Sequence, residues 1–431
     1  MKVGERIRQL RIHKRLTQKE LVENICSITY LSRIENGDIN PSSGFLEKVA
    51  RRLGISEKDL LIDDLSEKGK KITDIFNLYK EKQSLSEENL SFLSMNSKET
   101  YPTYILTKLF SILIRYYTSN GQLDKSKEFY QLSTLNIPKI VDPIYSEDFQ
   151  YYFVSCGIFF YSSQLYNEAN TYFTQAEQIM THEENLENAS LYYNISLVKQ
   201  RVLEDKSICL YYSKKAHEIL NNLDEHNLVT RVLITRGVQY HLIKDFSESL
   251  RTLNEANQYI DQNGDKKLYG MIRYNLGRVY QGMKNYEEAI KNFNESIKIN
   301  KNLDFEEENI YSLRSLSEIY LEKKQWDIAH SLLEESLLIA EAKQLNYMML
   351  ELKSIKARSS LLRGDEYTYE KEMQKIIVAG IEQKQGPLVK QLAKELAQHY
   401  YNVRSYKKSA DYFKIALEEE KQLASEMLTK V

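Results

Sequence analysis

Apolar residues recur along this chain at intervals of three and four, the spacing of one face of an α-helix. Val3, Ile7, Leu10 and Arg11 mark a first helix. Thr17 and Glu20 stand in capping-box spacing ahead of the inward-facing Leu21 and Val22, which predicts a second. After the turn Ile25-Cys26-Ser27, Ser27 caps a third helix with Leu31 and Ile34 inward, and Asn36-Gly37 ends it. Pro41-Ser42 opens a fourth, with Phe45, Leu46, Val49, Ala50 and Leu53 as its apolar face. Ser56 caps a short fifth.

Further on, the helical pattern itself repeats. Asn275-Leu276-Gly277, Tyr280, Asn285-Tyr286, Glu288-Ala289, Phe293 and Ser296 form one clear unit. Forty residues earlier, Gly237, Tyr240, Phe246, Ser249, Leu253 and Ala256 fall in register. Two further steps back lead through Cys209 and Ala216 to Gly157, Phe160, Tyr166, Ala169, Phe173 and Ala176. One step forward gives Leu316, Tyr320, Trp326, Ala329, Leu333 and Ser336, and weaker copies flank these. Eight copies are expected from about Thr107 onward, with a degenerate pair over Lys70–Met95. The pattern is that of the tetratricopeptide repeat, stretched from its usual 34 residues. Small residues such as Gly277 and Ala289 let two helices cross closely, and each pair leaves an apolar face that only its neighbour covers. The array therefore stacks as a solenoid whose first helices line a concave surface.

Composition agrees. Only 15 Gly and 5 Pro in 431 residues argue for long helices and against an all-β fold. Pro41, Pro102, Pro138, Pro143 and Pro387 are all expected between helices. Residues 1–60 carry 12 Lys and Arg against 8 Asp and Glu, a net of +4, while the whole chain is −2. A basic head on an acidic body points to nucleic acid. Cys26, Cys156 and Cys209 are odd in number and far apart, which implies no disulfide framework and fits a reducing cytoplasm; Cys26 reads as a small core residue of the turn. No apolar stretch is long enough to span a membrane.

The head resembles the Cro/C1-type (XRE) DNA-binding domain of phage and bacterial repressors. The resemblance rests on Thr17-Gln18-Lys19-Glu20-Leu21, Leu31-Ser32-Arg33-Ile34-Glu35-Asn36-Gly37 and the Leu-x-x-Val-Ala-x-x-Leu run after Pro41-Ser42. The family's turn is about one residue longer and carries Gly, whereas this chain has Asn24-Ile25-Cys26-Ser27. A helix fits the major groove with its N-terminal side chains at base edges. That places Ser27, Ile28, Thr29, Tyr30 and Arg33 at DNA, with Arg33 either on phosphate or paired with Glu35 or Glu20. Gln18 matches the family position that bonds phosphate and braces the recognition helix. Arg6, Arg11, Lys14 and Arg15 are further phosphate contacts to expect.

In the repeats, groove-facing places on the first helices fall at Met271, Tyr274, Asn275 and Arg278, then at Tyr311, Arg314, Ser315 and Glu318. Earlier copies offer Arg115, Tyr151, Asn194, Arg231 and Thr235. Of these, Arg115, Asn194, Arg231, Tyr274, Asn275, Arg278, Tyr311 and Arg314 are the expected peptide contacts. Asn can donate to and accept from one backbone amide at once, Arg can hold a carboxylate bidentately, and Tyr gives rigid contact area.

The expected fold is all-α: a five-helix XRE-type helix-turn-helix over 1–62, linker helices or a degenerate repeat over 63–100, and a right-handed tetratricopeptide solenoid over 101–431. This organisation resembles the Rap/Rgg/NprR/PlcR/PrgX superfamily of peptide-sensing regulators from Gram-positive bacteria. Leu21–Cys26 and Ser32–Gly37 are close to what its NprR-like and PlcR-like members carry. The resemblance implies a cytoplasmic transcription regulator that binds double-stranded DNA at two half-sites and is gated by a short signalling peptide. It implies a homodimer, with the last repeats and the helix after Leu417 as contacts, and in some members a response-regulator partner. Two other readings stay open: a scaffold acting on a phosphorelay response regulator, and a DNA-binding regulator without peptide control.

Chemistry adds nothing against this. The sequence has no G-x-x-x-x-G-K-[ST], no G-x-G-x-x-G and no H-E-x-x-H. His13, His182, His217, His226, His241, His330 and His399 show no metal-ligand spacing, and His182-Glu183-Glu184, Glu306–Glu308 and Glu418–Glu420 read as solvated surface. No catalytic residue, metal or cofactor is expected.

Overall fold

A computed structural model describes residues 3–14, 16–55, 67–138, 141, 143–181, 183–303 and 305–429. Among these every long element is an α-helix and no strand occurs. Two compact units divide the chain, residues 1–225 and 226–431.

The first unit begins with the head: α1 (Val3–His13), α2 (Gln18–Val22), α3 (Ile28–Glu35) and α4 (Ser43–Leu53). Local chemistry sets each start. Thr17 Oγ1 accepts the Glu20 N–H while the Glu20 carboxylate accepts the Thr17 N–H, a complete capping box. Ser27 and Ser42 cap α3 and α4 through the N–H groups of Tyr30 and Phe45. Ile7, Leu21, Leu31, Ile34, Val49 and Leu53 fill the core they surround. Gly4 is what lets α1 touch α3, because a Cβ there would stand 1.7 Å from the Ile34 carbonyl oxygen. Asn24 takes the left-handed conformation (φ 61°) in the α2–α3 turn. It replaces the glycine of the longer family turn, Asn being among the residues that enter that region most readily. The expected fifth helix lies outside the described residues.

The rest of this unit is α5 (Glu67–Lys82) and α6 (Glu87–Asn96), then the pairs α7 (Thr103–Ser119) with α8 (Leu123–Asn136), α9 (Ser146–Ser162) with α10 (Tyr166–Ile179), and α11 (Leu186–Val202) with α12 (Ser207–Asn222). Its core is aromatic, with Tyr130 and Tyr172 joined through their hydroxyls at 2.8 Å beside Phe159, Phe160 and Phe173.

The second unit holds α13 (His226–Leu242) with α14 (Phe246–Asn263), α15 (Lys266–Gly282) with α16 (Tyr286–Lys301), α17 (Asn309–Glu322) with α18 (Trp326–Ala342), α19 (Asn346–Leu362) with α20 (Glu366–Glu382), and α21 (Gly386–Asn402) with α22 (Tyr406–Thr429). The 40-residue period holds residue by residue: α9, α11, α13 and α15 begin at 146, 186, 226 and 266, and α19 and α21 at 346 and 386. Crossings repeat with it. A Cβ on Gly157, Gly237 or Gly277 would collide with Phe173, Leu253 or Phe293, each sixteen residues on. Turns repeat too, with Lys244, Lys284, Lys324, Gly364 and Arg404 all left-handed between the two helices of a pair.

Two expectations are corrected. Pro387 lies in the first turn of α21, not between helices; its missing N–H is one that a helix start leaves unpaired anyway. The segment after Leu417 is not a separate helix but the continuation of the 24-residue α22.

Candidate functional site

In the head, α3 presents Ile28 (46 % exposed), Thr29 and Arg33 outward. Arg33 makes neither of the expected ion pairs, because Glu20 is held in its capping box and Glu35 is taken elsewhere. The Glu35 carboxylate, buried, accepts two bonds from Arg11, at 2.7 and 3.0 Å, and one from Gln18 Nε2 at 2.8 Å. This is a correction for Arg11, which is a brace between α1 and α3 and not a phosphate contact. Gln18 does bridge α2 to α3, and the bridge uses one N–H of its amide. Arg6 is corrected too: it donates to the Thr100 carbonyl at 3.2 Å. Tyr30 is half turned inward, its ring edge-on to Phe45 at 5.5 Å. Ser27 spends its oxygen on the α3 cap. Lys14 is exposed, and Arg15 lies outside the described residues. Cys26 is half-buried against the head core.

Sequence reasoning missed Arg52, which donates to the carbonyls of Glu20 and Glu23 at 2.8 and 2.9 Å and so closes the C-terminus of α2. Its spacing on α4 carries no signal, since it acts across 29 to 32 residues. Glu35 was considered only as a partner of Arg33.

In the first unit, Arg115 and Tyr151 meet. The guanidinium lies 4.0 Å from the Tyr151 ring centroid, over its face. They line a cavity of about 500 Å³ with Lys80, Gln83, Gln150 and Asn188. Tyr151 is 5 % exposed, and neither its hydroxyl nor Arg115 Nε has a hydrogen-bond partner. Lys80 pairs with Glu187, and Gln150 donates to Asn188 at 2.7 Å. Asn194 lies half-buried on α11, outside that lining.

In the second unit, Tyr274 and Tyr311 stand 6.2 Å apart at the mouth of a cavity of about 410 Å³. Met271, Asn275, Arg314, Lys267, Asn300, Phe305 and Glu308 are among the rest of its wall. Asn275 donates to the Met271 carbonyl of its own helix at 2.8 Å, which leaves its oxygen available. Arg314 pairs with Glu351 at 2.7 Å; burial opposes its charge, and Glu351, Glu318 and Tyr274 together outweigh that, so its pKa is raised. Burial pushes the Tyr311 phenol up, which keeps it a neutral donor. Arg278 reaches Tyr274 Oη at 3.5 Å, Arg231 is exposed on α13, and neither lines this cavity. Ser315 is fully buried and so is removed from the groove-facing set.

Comparison with known proteins defines the class first. Residues 4–64 match a helix-turn-helix domain family and residues 269–342 a tetratricopeptide repeat family. The chain is therefore a helix-turn-helix protein with tetratricopeptide repeats. Within that class it is a homologue of the transcriptional activator NprA of Geobacillus stearothermophilus, 26% identical over 326 residues that cover 74% of this chain and 77% of the relative. The fold is that of the apo quorum sensor NprR from B. thuringiensis (TM-score 0.60, 15% identity, 84% of this chain and 99% of that one). It is also that of a Rap protein complexed with Competence and Sporulation Factor (TM-score 0.58, 14% identity, 83% and 98%). The likeness in fold to NprR and Rap proteins expected from the sequence is borne out. No helix among the described residues is long and apolar enough to cross a membrane.

Proposed function

We propose that this protein is a cytoplasmic transcription regulator that binds two DNA half-sites as a dimer and is gated by a short peptide held in its repeats. The observation that carries the reading is the pairing of two features in one chain. A braced recognition helix keeps Ile28, Thr29 and Arg33 outward. The repeats hold hydrogen-bonding capacity that nothing in the protein uses, at Tyr151 Oη and Arg115 Nε. Buried polar atoms without partners are costly, and an extended peptide supplies both donors and acceptors. A transcriptional activator as homologue and a solved NprR in complex with its cognate peptide among the similar folds both support it. Peptide binding would bias the placement of the two heads, and so the operator affinity, by its differential affinity for two arrangements.

The test is selection of genomic fragments by the purified full-length protein, with and without the low-molecular-weight peptide fraction of the producing culture. Enrichment of a two-half-site sequence that changes with the fraction is expected. Enrichment indifferent to the fraction removes the peptide, and no enrichment in either condition removes the DNA.

A further inference from the structure

One place in the second unit breaks the 40-residue register. After α15 at 266 the next first helix should open at 306, yet α17 opens at 309 and has 14 residues where α15 and α19 have 17. The three residues withheld from the helix, Glu306–Glu308, form a 3-10 turn, and all three are exposed. The slip has two consequences. It leaves the cavity of about 410 Å³ between Met271 and Tyr274 on α15, Tyr311 and Arg314 on α17, and Phe305 of the connection. It also leaves α17 unusually rich in unpaired polar atoms: both amide atoms of Asn309, the hydroxyls of Ser312 and Ser315, and Arg314 Nε.

Charge at this mouth is lopsided. Glu306, Glu307 and Glu308 make no ion pair among the described residues, and Arg314 is neutralised by Glu351. Lys267, also on the cavity wall, has its ammonium 4.5 Å from the Phe305 ring centroid. A ligand here meets an apolar, aromatic-walled hole beside uncompensated carboxylates.

We infer that this cavity is the anchor subsite of the peptide, taking one bulky apolar or aromatic side chain, and that Glu306–Glu308 select a cationic residue next to it. The inference rests on the peptide reading above. Ring–ring contact with Tyr274 and Tyr311 holds the anchor. The neighbouring Lys or Arg faces the carboxylates across solvent, which favours selectivity over raw affinity.

The probe is a set of three fluorescent, end-blocked heptapeptide libraries with Phe fixed at the centre and Lys, Ala or Glu fixed after it, together with a fourth that has Ala at the centre and Lys after it. Binding to the full-length protein is followed by polarisation at low and at high salt. The Lys library is expected to bind about tenfold tighter than the Glu library at low salt, with the gap closing at high salt. A triple Glu306→Gln, Glu307→Gln, Glu308→Gln variant should abolish the gap while keeping a preference for Phe over Ala at the centre. Tyr311→Ala should lose the Phe preference and keep the charge preference. Equal binding of the three Phe libraries, a gap that survives the triple variant, or no binding of any library overturns the inference. The peptide reading falls separately, only if fragment selection is also indifferent to the culture fraction.

Discussion

At the scale of single residues, the head is held by contacts that leave little slack. Glu35 is buried with two charge-assisted bonds from Arg11 and one from Gln18, so three helices meet on one carboxylate. Removing one partner of such a pair strands the other charge, which costs about 3–5 kcal/mol. Glu35→Ala should therefore lower the denaturant midpoint of the head sharply and abolish DNA retention, while Arg33→Ala leaves the midpoint unchanged and weakens DNA retention alone. Equal midpoints for the Glu35 variant and the parent would remove the brace. Two glycines give a sharper contrast. A Cβ on Gly4 meets the Ile34 carbonyl at 1.7 Å, whereas one on Gly44, inside α4, meets nothing within 4 Å. Gly4→Ala must push α1 off α3 and should destabilise the head by more than about 2 kcal/mol. Gly44→Ala should stabilise it by up to about 1 kcal/mol, the helix-propensity difference. Calorimetry on the two variants reads both signs.

At the scale of elements, the turns between paired helices were only half legible. Asn285-Tyr286 and Trp326 marked where second helices begin, and they do begin there. What the sequence hid is that Lys244, Lys284 and Lys324 adopt left-handed backbone, because Lys is no signal for that conformation. Each turn closes in the same way: the Lys284 N–H bonds the Gln281 carbonyl and the Asn285 N–H bonds the Tyr280 carbonyl, both at 2.9 Å. For an L-residue that conformation costs about 1–2 kcal/mol. Glycine escapes it but loses about 0.4–1 kcal/mol through the freedom it adds to the unfolded chain. The strain outweighs that loss, so Lys284→Gly should raise the melting temperature slightly, and the same change at Lys244 and Lys324 should add to it. A fall would mean that the lysine stems hold more packing than the turn geometry shows. The period, the small crossing residues and the helix caps of the head were legible for the opposite reason: Gly277, Thr17 and Ser42 each do one local thing that few other residues can do. The two cavities were less so. Arg115, Tyr151, Tyr274 and Tyr311 could be placed on first-helix faces, but Phe305 enters only through a three-residue slip that periodicity treats as noise. Arg11 and Arg6 were misread because exposed-looking charge at helical spacing says nothing of a partner 24 or 94 residues away.

At the scale of the whole molecule, charge decides how such a head can bind DNA. The first 60 residues carry +4, yet four of their arginines are already engaged: Arg11 with Glu35, Arg6 with Thr100, Arg51 with Glu47 and Arg52 with the end of α2. The exposed cations left among the described residues include Lys14, Lys19, Arg33 and Lys48. Each phosphate neutralised on B-DNA contributes about −0.9 to the slope of log K against log salt, so the four cations named give one head a slope of only about −3.6. The remaining residues bring a net −6, which repels the duplex at low salt. A single head would thus be a weak reader, and in the proposed dimer affinity would come from two heads on half-sites about 34 Å apart, one helical turn. The prediction is that scrambling one of two half-sites in a selected fragment weakens binding by about a hundredfold or more and roughly halves the salt slope, the signature of losing one head's phosphates along with its base contacts. Titrating intact and half-scrambled fragments at several salt concentrations checks both numbers at once. Unchanged affinity and slope would mean that one head suffices, and pairing the heads would then have no part in how the repeats control them.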